Sequence, residues 1–157
     1  MSSPGPYQPP EAPVADREPR RGAPVKGMIL GVLVDIGGSL LASFVLFFVW
    51  AIWLGASGLD AESITREMSE PDPLSRLSLF GYALGTGFSW LGGYVCATVA
   101  RETELQCAAV VAGISTLVAL AMGAGMPLGL YLFLTVLTFA AVMLGGWMGR
   151  QSNARQA

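Results

Sequence analysis

Histidine is absent from the 157 residues of this chain, and charged residues make up only 13% of them. Without histidine the chain lacks the usual ligand of catalytic zinc and haem, and the usual base of Ser-His-Asp and Cys-His nucleophile systems. Two cysteines, Cys96 and Cys107, are too few for the disulfide framework of a small secreted domain. The net charge of −2 gives no electrostatic reason for a nucleic-acid partner. We therefore expect no catalytic residues, metal site, cofactor, nucleic-acid partner or enzymatic activity.

Long apolar runs are abundant instead, because hydrophobic residues make up 53% of the chain. A helix needs about 18 or more apolar residues to cross the hydrocarbon core of a bilayer, which is about 30 Å thick. Four stretches reach that length, at residues 27–54, 77–100, 105–123 and 127–149. The sequence predicts an all-α polytopic membrane protein, with a four-helix transmembrane domain over residues 27–150 and the lipid bilayer as its surroundings.

The flanks of this domain predict the tails and the orientation. Residues 1–26 hold seven of the ten prolines and have no apolar periodicity, so we expect a disordered tail there and a short second tail over residues 151–157. Seven basic residues lie on the side of the termini and two lie in the loop between the first and second spans. The positive-inside rule then places both termini in the cytoplasm.

Capping residues predict where the helices begin. Asp72 followed by Pro73 is expected to open the second span, Thr103 the third and Pro127 the fourth. The loop between the first two spans fits a short helix from Ala61 to Ser69 with Asp60 as its cap, and it fits a solvated acidic loop about equally well.

Small residues recur at spacings of three, four or seven on the first three spans, which aligns them on one side of each helix. In lipid, such faces let helix backbones approach closely and so hold helices together. We expect the first three spans to meet through them. The residues expected in helix packing are Gly31, Gly38, Gly81, Gly85, Gly92 and Ala112.

A short motif occurs twice, as Leu-Gly-Gly-Tyr at residues 91–94 and Leu-Gly-Gly-Trp at residues 144–147. Each copy lies near the end of a span that runs toward the side of the termini. A duplicated helix hairpin would explain the match. Glycine-rich membrane helices also produce such a motif by composition alone, and the sequence favours that explanation.

Asp35 is the only acid within a span, and ionisable residues inside the membrane are functional candidates by default. If Trp50 and Trp53 mark the outer interface, Asp35 lies near headgroup level, and the sequence favours this structural position. If the helix starts at Gly27, Asp35 lies deeper, near Tyr94 or Thr98 of the second span. Asp35, Tyr94 and Thr98 are the candidate intramembrane polar site.

Residues of the central hairpin also suggest a resemblance. The segment with Gly92-Gly93-Tyr94, Ala97, Ala100-Arg101 and Glu104-Leu105 resembles the helix–turn–helix centre of many small, uncharacterised four-helix bacterial inner-membrane proteins. The resemblance covers about 15 residues. The resemblance implies a four-helix fold in a bacterial inner (plasma) membrane, and it implies no activity and no site residue.

Two functions remain open from the sequence. The first, which the sequence favours, is a structural or accessory subunit that packs its helices against a second copy or a larger membrane complex. The second is a small transporter or channel with a polar path near Asp35. The residues expected along that path are Asp35, Ser39, Thr86, Ser89, Tyr94, Ser115 and Thr116.

Overall fold

The computed structural model describes residues 22–69, 72–122 and 126–155, which form helices and no strands. The helices are α1 Pro24–Ala56, α2 Ala61–Ser69, α3 Arg76–Ala100, α4 Glu104–Met122 and α5 Leu128–Ala154. A π-helical segment, Leu33–Gly37, interrupts α1. The end at which α1 and α4 begin and α3 and α5 end is called the proximal end below. The opposite end is the distal end.

Both terminal tails are shorter than predicted within the described residues, because α1 begins earlier and α5 ends later than the sequence predicts. The predicted disorder over residues 1–21 lies outside the described residues. α1 begins at Pro24 rather than at Gly27, because proline in the first turn of a helix loses no hydrogen bond. α5 continues through residues 150–154, where the Asn153 amide donates to the carbonyl oxygen of Ala97, at 3.0 Å, and to Glu104 Oε1, at 3.2 Å. These bonds hold the last turn of α5 against α3 and α4.

Among the described helices, α1, α4 and α5 are long and apolar enough to cross a membrane, which indicates a membrane protein. That makes three such helices rather than the four expected. The exception, α3, has 25 residues and is long enough, but five glycines and several hydroxyl-bearing side chains lower its hydropathy. It is also the most extensively packed helix, since it contacts α1, α4 and α5 and holds more buried residues than any other described helix.

Two helix starts show how capping acts here. α2 has the predicted bounds, and hydrogen bonds from Ser63, chiefly from its side chain, hold the pKa of Asp60 below its usual value of 3.8. α3 begins later than Asp72-Pro73 predicts, because Ser75 is the N-cap and its hydroxyl accepts the backbone N–H of Ser78 at 3.2 Å. Asp72 instead accepts the N–H of Leu74, at 2.9 Å, in the turn before the helix.

Glycines bring α1 and α3 into contact in the proximal half of the bundle. A Cβ added at Gly31 would lie 2.8 Å from Cys96 Cβ and 2.9 Å from the carbonyl oxygen of Gly92. A Cβ added at Gly92 would lie 2.7 Å from the carbonyl oxygen of Gly31. No real Cβ is tolerated at such distances from backbone, so both positions require glycine. Ala112 of α4 is fully buried and belongs to the same core cluster as Cys96.

The repeated Leu-Gly-Gly motifs form the contact between α3 and α5. A Cβ at Gly93 would overlap the carbonyl oxygen of Val142, and a Cβ at Gly145 would overlap that of Trp90. One motif therefore packs against the helix that carries the other. The two motifs therefore share a role in helix packing, because each supplies a glycine where the backbones of α3 and α5 come close together. The sequence predicts close packing among the first three spans, and the structure adds this tight contact between α3 and α5.

The distal half is packed more loosely. Nothing lies within 4 Å of a Cβ added at Gly85, which differs from its expected role in helix packing. Gly81 has one neighbour, Leu46 Cδ2, at an ordinary 3.7 Å, and a Cβ at Gly38 would meet the ring of Phe88. The small-residue face of α3 thus serves two purposes. Its proximal glycines pack against other helices, and its distal glycines leave space.

Candidate functional site

Asp35 lies in the π-helical segment of α1 and is 3% exposed. A π turn takes up one residue more than an α turn and occurs often at functional sites. The segment ends at Gly37 and is followed by Gly38 and Ser39, and both π-bulges and Gly/Ser pairs are places at which helices bend. The deformation lies where α1 carries its one buried acid.

Two serines from different helices bind the Asp35 carboxylate. The Ser89 hydroxyl of α3 donates to Oδ1 at 2.7 Å, and the Ser115 hydroxyl of α4 donates to Oδ2. Both serines are buried. A single side chain therefore joins α1, α3 and α4, and each of its oxygens has a donor. Asp35, Ser89 and Ser115 are called the Asp35 cluster below.

The Asp35 cluster lies midway along the bundle. Asp35 is eleven positions after Pro24, Ser89 is eleven before Ala100 and Ser115 is eleven after Glu104. Eleven residues of α-helix correspond to about 17 Å from the proximal end. The whole of α4, with 19 residues, is only about as long as the hydrocarbon core is thick. The position of Asp35 midway along these helices favours the deeper of the two positions considered for it.

Tyr94 and Thr98 are not part of this cluster, contrary to the sequence-based prediction. The Thr98 hydroxyl donates to the carbonyl oxygen of Val95, at 2.9 Å, and the Tyr94 ring stacks on Trp90, with centroids 6.0 Å apart. Both lie more than one turn nearer the proximal end than Ser89. The error arose from the register of α1 against α3. Gly31 packs between Gly92 and Cys96, which brings Asp35 level with Ser89.

The matching order of residues on the two helices could have revealed this register. Along α1, Gly27, Gly31 and Asp35 follow at spacings of four, and along α3, Cys96, Gly92 and Ser89 run in the opposite direction at spacings of four and three. Aligning the two as antiparallel small-residue faces pairs Asp35 with Ser89. The sequence contains no comparable matching order of residues on α1 and α4 that would predict the pairing of Asp35 with Ser115.

A cleft of about 220 Å³ extends from the Asp35 cluster toward the distal end. Five of the seven residues expected along a polar path line it, while Tyr94 and Thr116 do not. Thr116 Oγ1 is instead buried without a hydrogen-bond partner in the described part of the chain. The polar lining consists of Asp35, Ser39, Tyr82, Thr86, Ser89, Ser115 and Thr138, and the remaining walls are apolar or glycine.

The cleft arises because α1 diverges from α4. The segment Pro24–Val32 packs against both α3 and α4, whereas Gly38–Ala56 packs mainly against α3. On the proximal side of Asp35 the cleft is closed by the Gly31–Gly92 contact and by buried Val111. The Asp35 cluster therefore forms the deep end of a cleft that lies on one side of it only.

The chemistry of the lining is limited. Asp35 is the only acidic residue on the described surface of the cleft, and no lysine or arginine lines it. Within the described ranges, no three His, Cys, Asp or Glu side chains gather closely enough to hold a metal ion. The arrangement offers one carboxyl group and several hydroxyls, which can bind a proton or a cation.

No protein-family model, curated protein or solved structure matches the chain. The class of protein is therefore defined by the structure alone. It is an all-helical membrane protein with a buried carboxylate shared by three helices.

Proposed function

We propose that α3 also crosses the membrane, so that the chain has four spans with both termini in the cytoplasm of a bacterial cell. The support is the position of α3 between the other three helices. A helix largely surrounded by protein does not need the apolar surface that lipid requires, because its glycines and hydroxyls contact neighbouring helices. The excess of basic residues on the side of the termini supports the orientation.

We propose further that the chain is a small transporter in which Asp35 is the binding group. The main support for this proposal is the cleft, which ends at Asp35 and is closed on the proximal side of that residue. Transporter sites lie near the middle of the bilayer, often where a helix departs from regular geometry, and are reached from one side at a time. The π-helical segment and the closed proximal half fit this description. The proposal includes no catalytic step.

Flux measurements in liposomes test the proposal. The purified chain is reconstituted in liposomes, and uptake of protons, sodium, potassium and a small quaternary ammonium ion, each followed with its own indicator or label, is compared with that of empty liposomes. Asp35→Asn removes the exchangeable charge and keeps the shape of the side chain, so we expect it to abolish flux. Asp60→Asn, in the exposed start of α2, is the matched control and should leave flux unchanged. Equal flux in wild type and Asp35→Asn would contradict the proposal.

A second candidate is the accessory subunit that the sequence favours. It is supported by four glycines outside the cleft, Gly37, Gly87, Gly113 and Gly129, at which an added Cβ would meet nothing within 4 Å. In lipid, small residues on a free helix face permit close contact with another helix. Native mass measurement of the purified chain, with Gly87→Leu as the variant, tests this candidate. A monomer in both cases would contradict it.

A further inference from the structure

The Asp35 carboxylate has hydrogen bonds but no counter-charge among the residues that line its cleft. A charged carboxylate held away from water needs an opposite charge nearby or must bind a proton. The two serines supply hydrogen bonds without supplying charge. A ligand with a positive group placed at the deep end of the cleft would complete the site electrostatically.

The walls above the carboxylate are mostly apolar, and Ser39, Tyr82, Thr86 and Thr138 add hydroxyl groups to them. Ile36 and Leu40 of α1, Val118 and Met122 of α4 and Leu134 of α5 line the cleft between Asp35 and the distal end. A bare inorganic cation gains nothing from such walls, and it would need several free oxygens as ligands. The hydroxyls of Ser89 and Ser115 donate to Asp35 and keep only neutral lone pairs for a cation, and the described lining holds no second carboxylate.

The divergence of α1 from α4 also bears on the ligand. Residues of α1, α3, α4 and α5 line the described part of the cleft, and because Gly38–Ala56 packs mainly on α3, α1 leaves a gap beside α4 at this level. A molecule dissolved in the bilayer could reach Asp35 by that gap. An apolar body with one positive group is the kind of molecule that partitions there.

We propose that this cleft binds a small organic cation, a protonated or quaternary amine with an apolar body, whose positive group faces Asp35 and whose body contacts Leu40, Val118 and Leu134. The inference rests on the proposed transport function and specifies its substrate class. Attraction between unit charges in this low-dielectric setting gives the affinity, and the apolar walls select against hydrated inorganic ions.

Calorimetric titration of the full chain in nanodiscs tests this inference, with benzyltrimethylammonium as the probe. We expect saturable binding to the wild type and to Asp60→Asn, and affinity lower by about tenfold or more in Asp35→Asn. Neopentylbenzene, the neutral molecule of the same shape, should bind at least about tenfold more weakly than the cation. Equal affinity for the two probes, or for wild type and Asp35→Asn, would overturn the proposal.

A second pair of variants covers the case in which Asp35→Asn does not fold. Leu134→Trp narrows the cleft without touching the carboxylate and should abolish binding, whereas Leu132→Trp, on an exposed face of the same helix, should not. Binding unaffected by Leu134→Trp would overturn the proposal. A dimer in the native mass measurement, together with no binding of the probe, would also overturn the proposal, because a second copy of the chain would then occupy the cleft.

The two proposals fail separately. Asp35-dependent proton or sodium flux without benzyltrimethylammonium binding overturns the substrate class and leaves the transport function standing. Binding that depends on Asp35, with no flux of any cation tested, supports the site and overturns the transport function.

Discussion

Asp35 acts at the scale of a single residue by connecting three helices through two serines. Inside a membrane a polar side chain has few alternatives to a protein partner, yet measured interhelical hydrogen bonds contribute only about 0.6 kcal/mol on average. The serines of a helix can also bond to their own backbone when a partner is lost. The Asp35 cluster therefore specifies which residues of α1, α3 and α4 face each other more than it adds stability.

Two substitutions at Asp35 separate hydrogen bonding from charge. Asp35→Asn keeps an acceptor and adds a donor, so we expect a loss of under about 1 kcal/mol in the free energy of unfolding. Asp35→Leu removes the acceptor of both Ser89 and Ser115 and should cost about 1–3 kcal/mol. Unfolding in detergent followed by circular dichroism measures both. A greater loss for Asn than for Leu would contradict the hydrogen-bonding role.

At the scale of helices, backbone proximity decides which glycines matter. Gly93 and Gly145 each lie against a carbonyl oxygen of the opposing helix, while Gly85 and Gly87 have no neighbour within 4 Å of an added Cβ. All four are on membrane helices and look alike in the sequence. Their effects on stability should therefore differ in sign.

Replacement of two glycines by alanine tests this difference. Gly145→Ala places a Cβ on the carbonyl oxygen of Trp90, and we expect a loss of about 1–3 kcal/mol, as for other overpacked interiors. Gly87→Ala adds a methyl group in open space and should be neutral, or stabilising by up to about 1 kcal/mol, because alanine is the better helix former. Thermal unfolding in detergent measures both. Equal losses would show that α3 and α5 do not meet as described.

The start of α2 should respond to pH. Hydrogen bonds from Ser63 lower the pKa of Asp60, so the ionised cap stabilises the helix at pH values above the usual 3.8. That contribution is lost as the pH falls through the lower pKa of the folded state. Amide hydrogen exchange in α2 should speed up there in the wild type but not in Asp60→Asn, after correction for the intrinsic pH dependence of exchange. The same pH response in both would contradict the cap.

At the scale of the whole molecule, the least apolar long helix lies in the middle. α3 holds six buried residues, more than any other described helix, and four of them are glycine or alanine. Such a helix can cross a membrane only if its neighbours cover it, which α1, α4 and α5 do. The number of spans is therefore a property of the assembled bundle.

Cysteine labelling separates four spans from three. Single cysteines replace Arg20, Arg66 or Arg155 in a chain whose Cys96 and Cys107 are alanine, and intact cells receive a membrane-impermeant thiol reagent. Four spans with cytoplasmic termini predict labelling at position 66 only. Three spans would place positions 20 and 155 on opposite sides of the membrane, so labelling at one of these two would contradict the topology.

The sequence by itself determined the elements, because they depend on local properties. Apolar length predicted four long helices close to their observed bounds, and the Asp60 cap and the Ala61–Ser69 helix follow from neighbouring residues. The sequence also identified Asp35 and most of the polar residues around it, since an acid in an apolar run is conspicuous. These features need no knowledge of which helix lies beside which.

Only the tertiary structure decided which residues of different helices contact each other. Whether Asp35 meets Ser89 or Tyr94 depends on the position of α1 along α3. That register is fixed by Gly31 and Gly92, because each packs against the backbone of the other helix. The packing of the helices against one another also decides three other features. These are the close contact of α3 with α5, the open position of Gly85 and the cleft beside Asp35. Small residues permit close approach anywhere along a helix, and only the assembled bundle determines where the backbones meet and where they leave space.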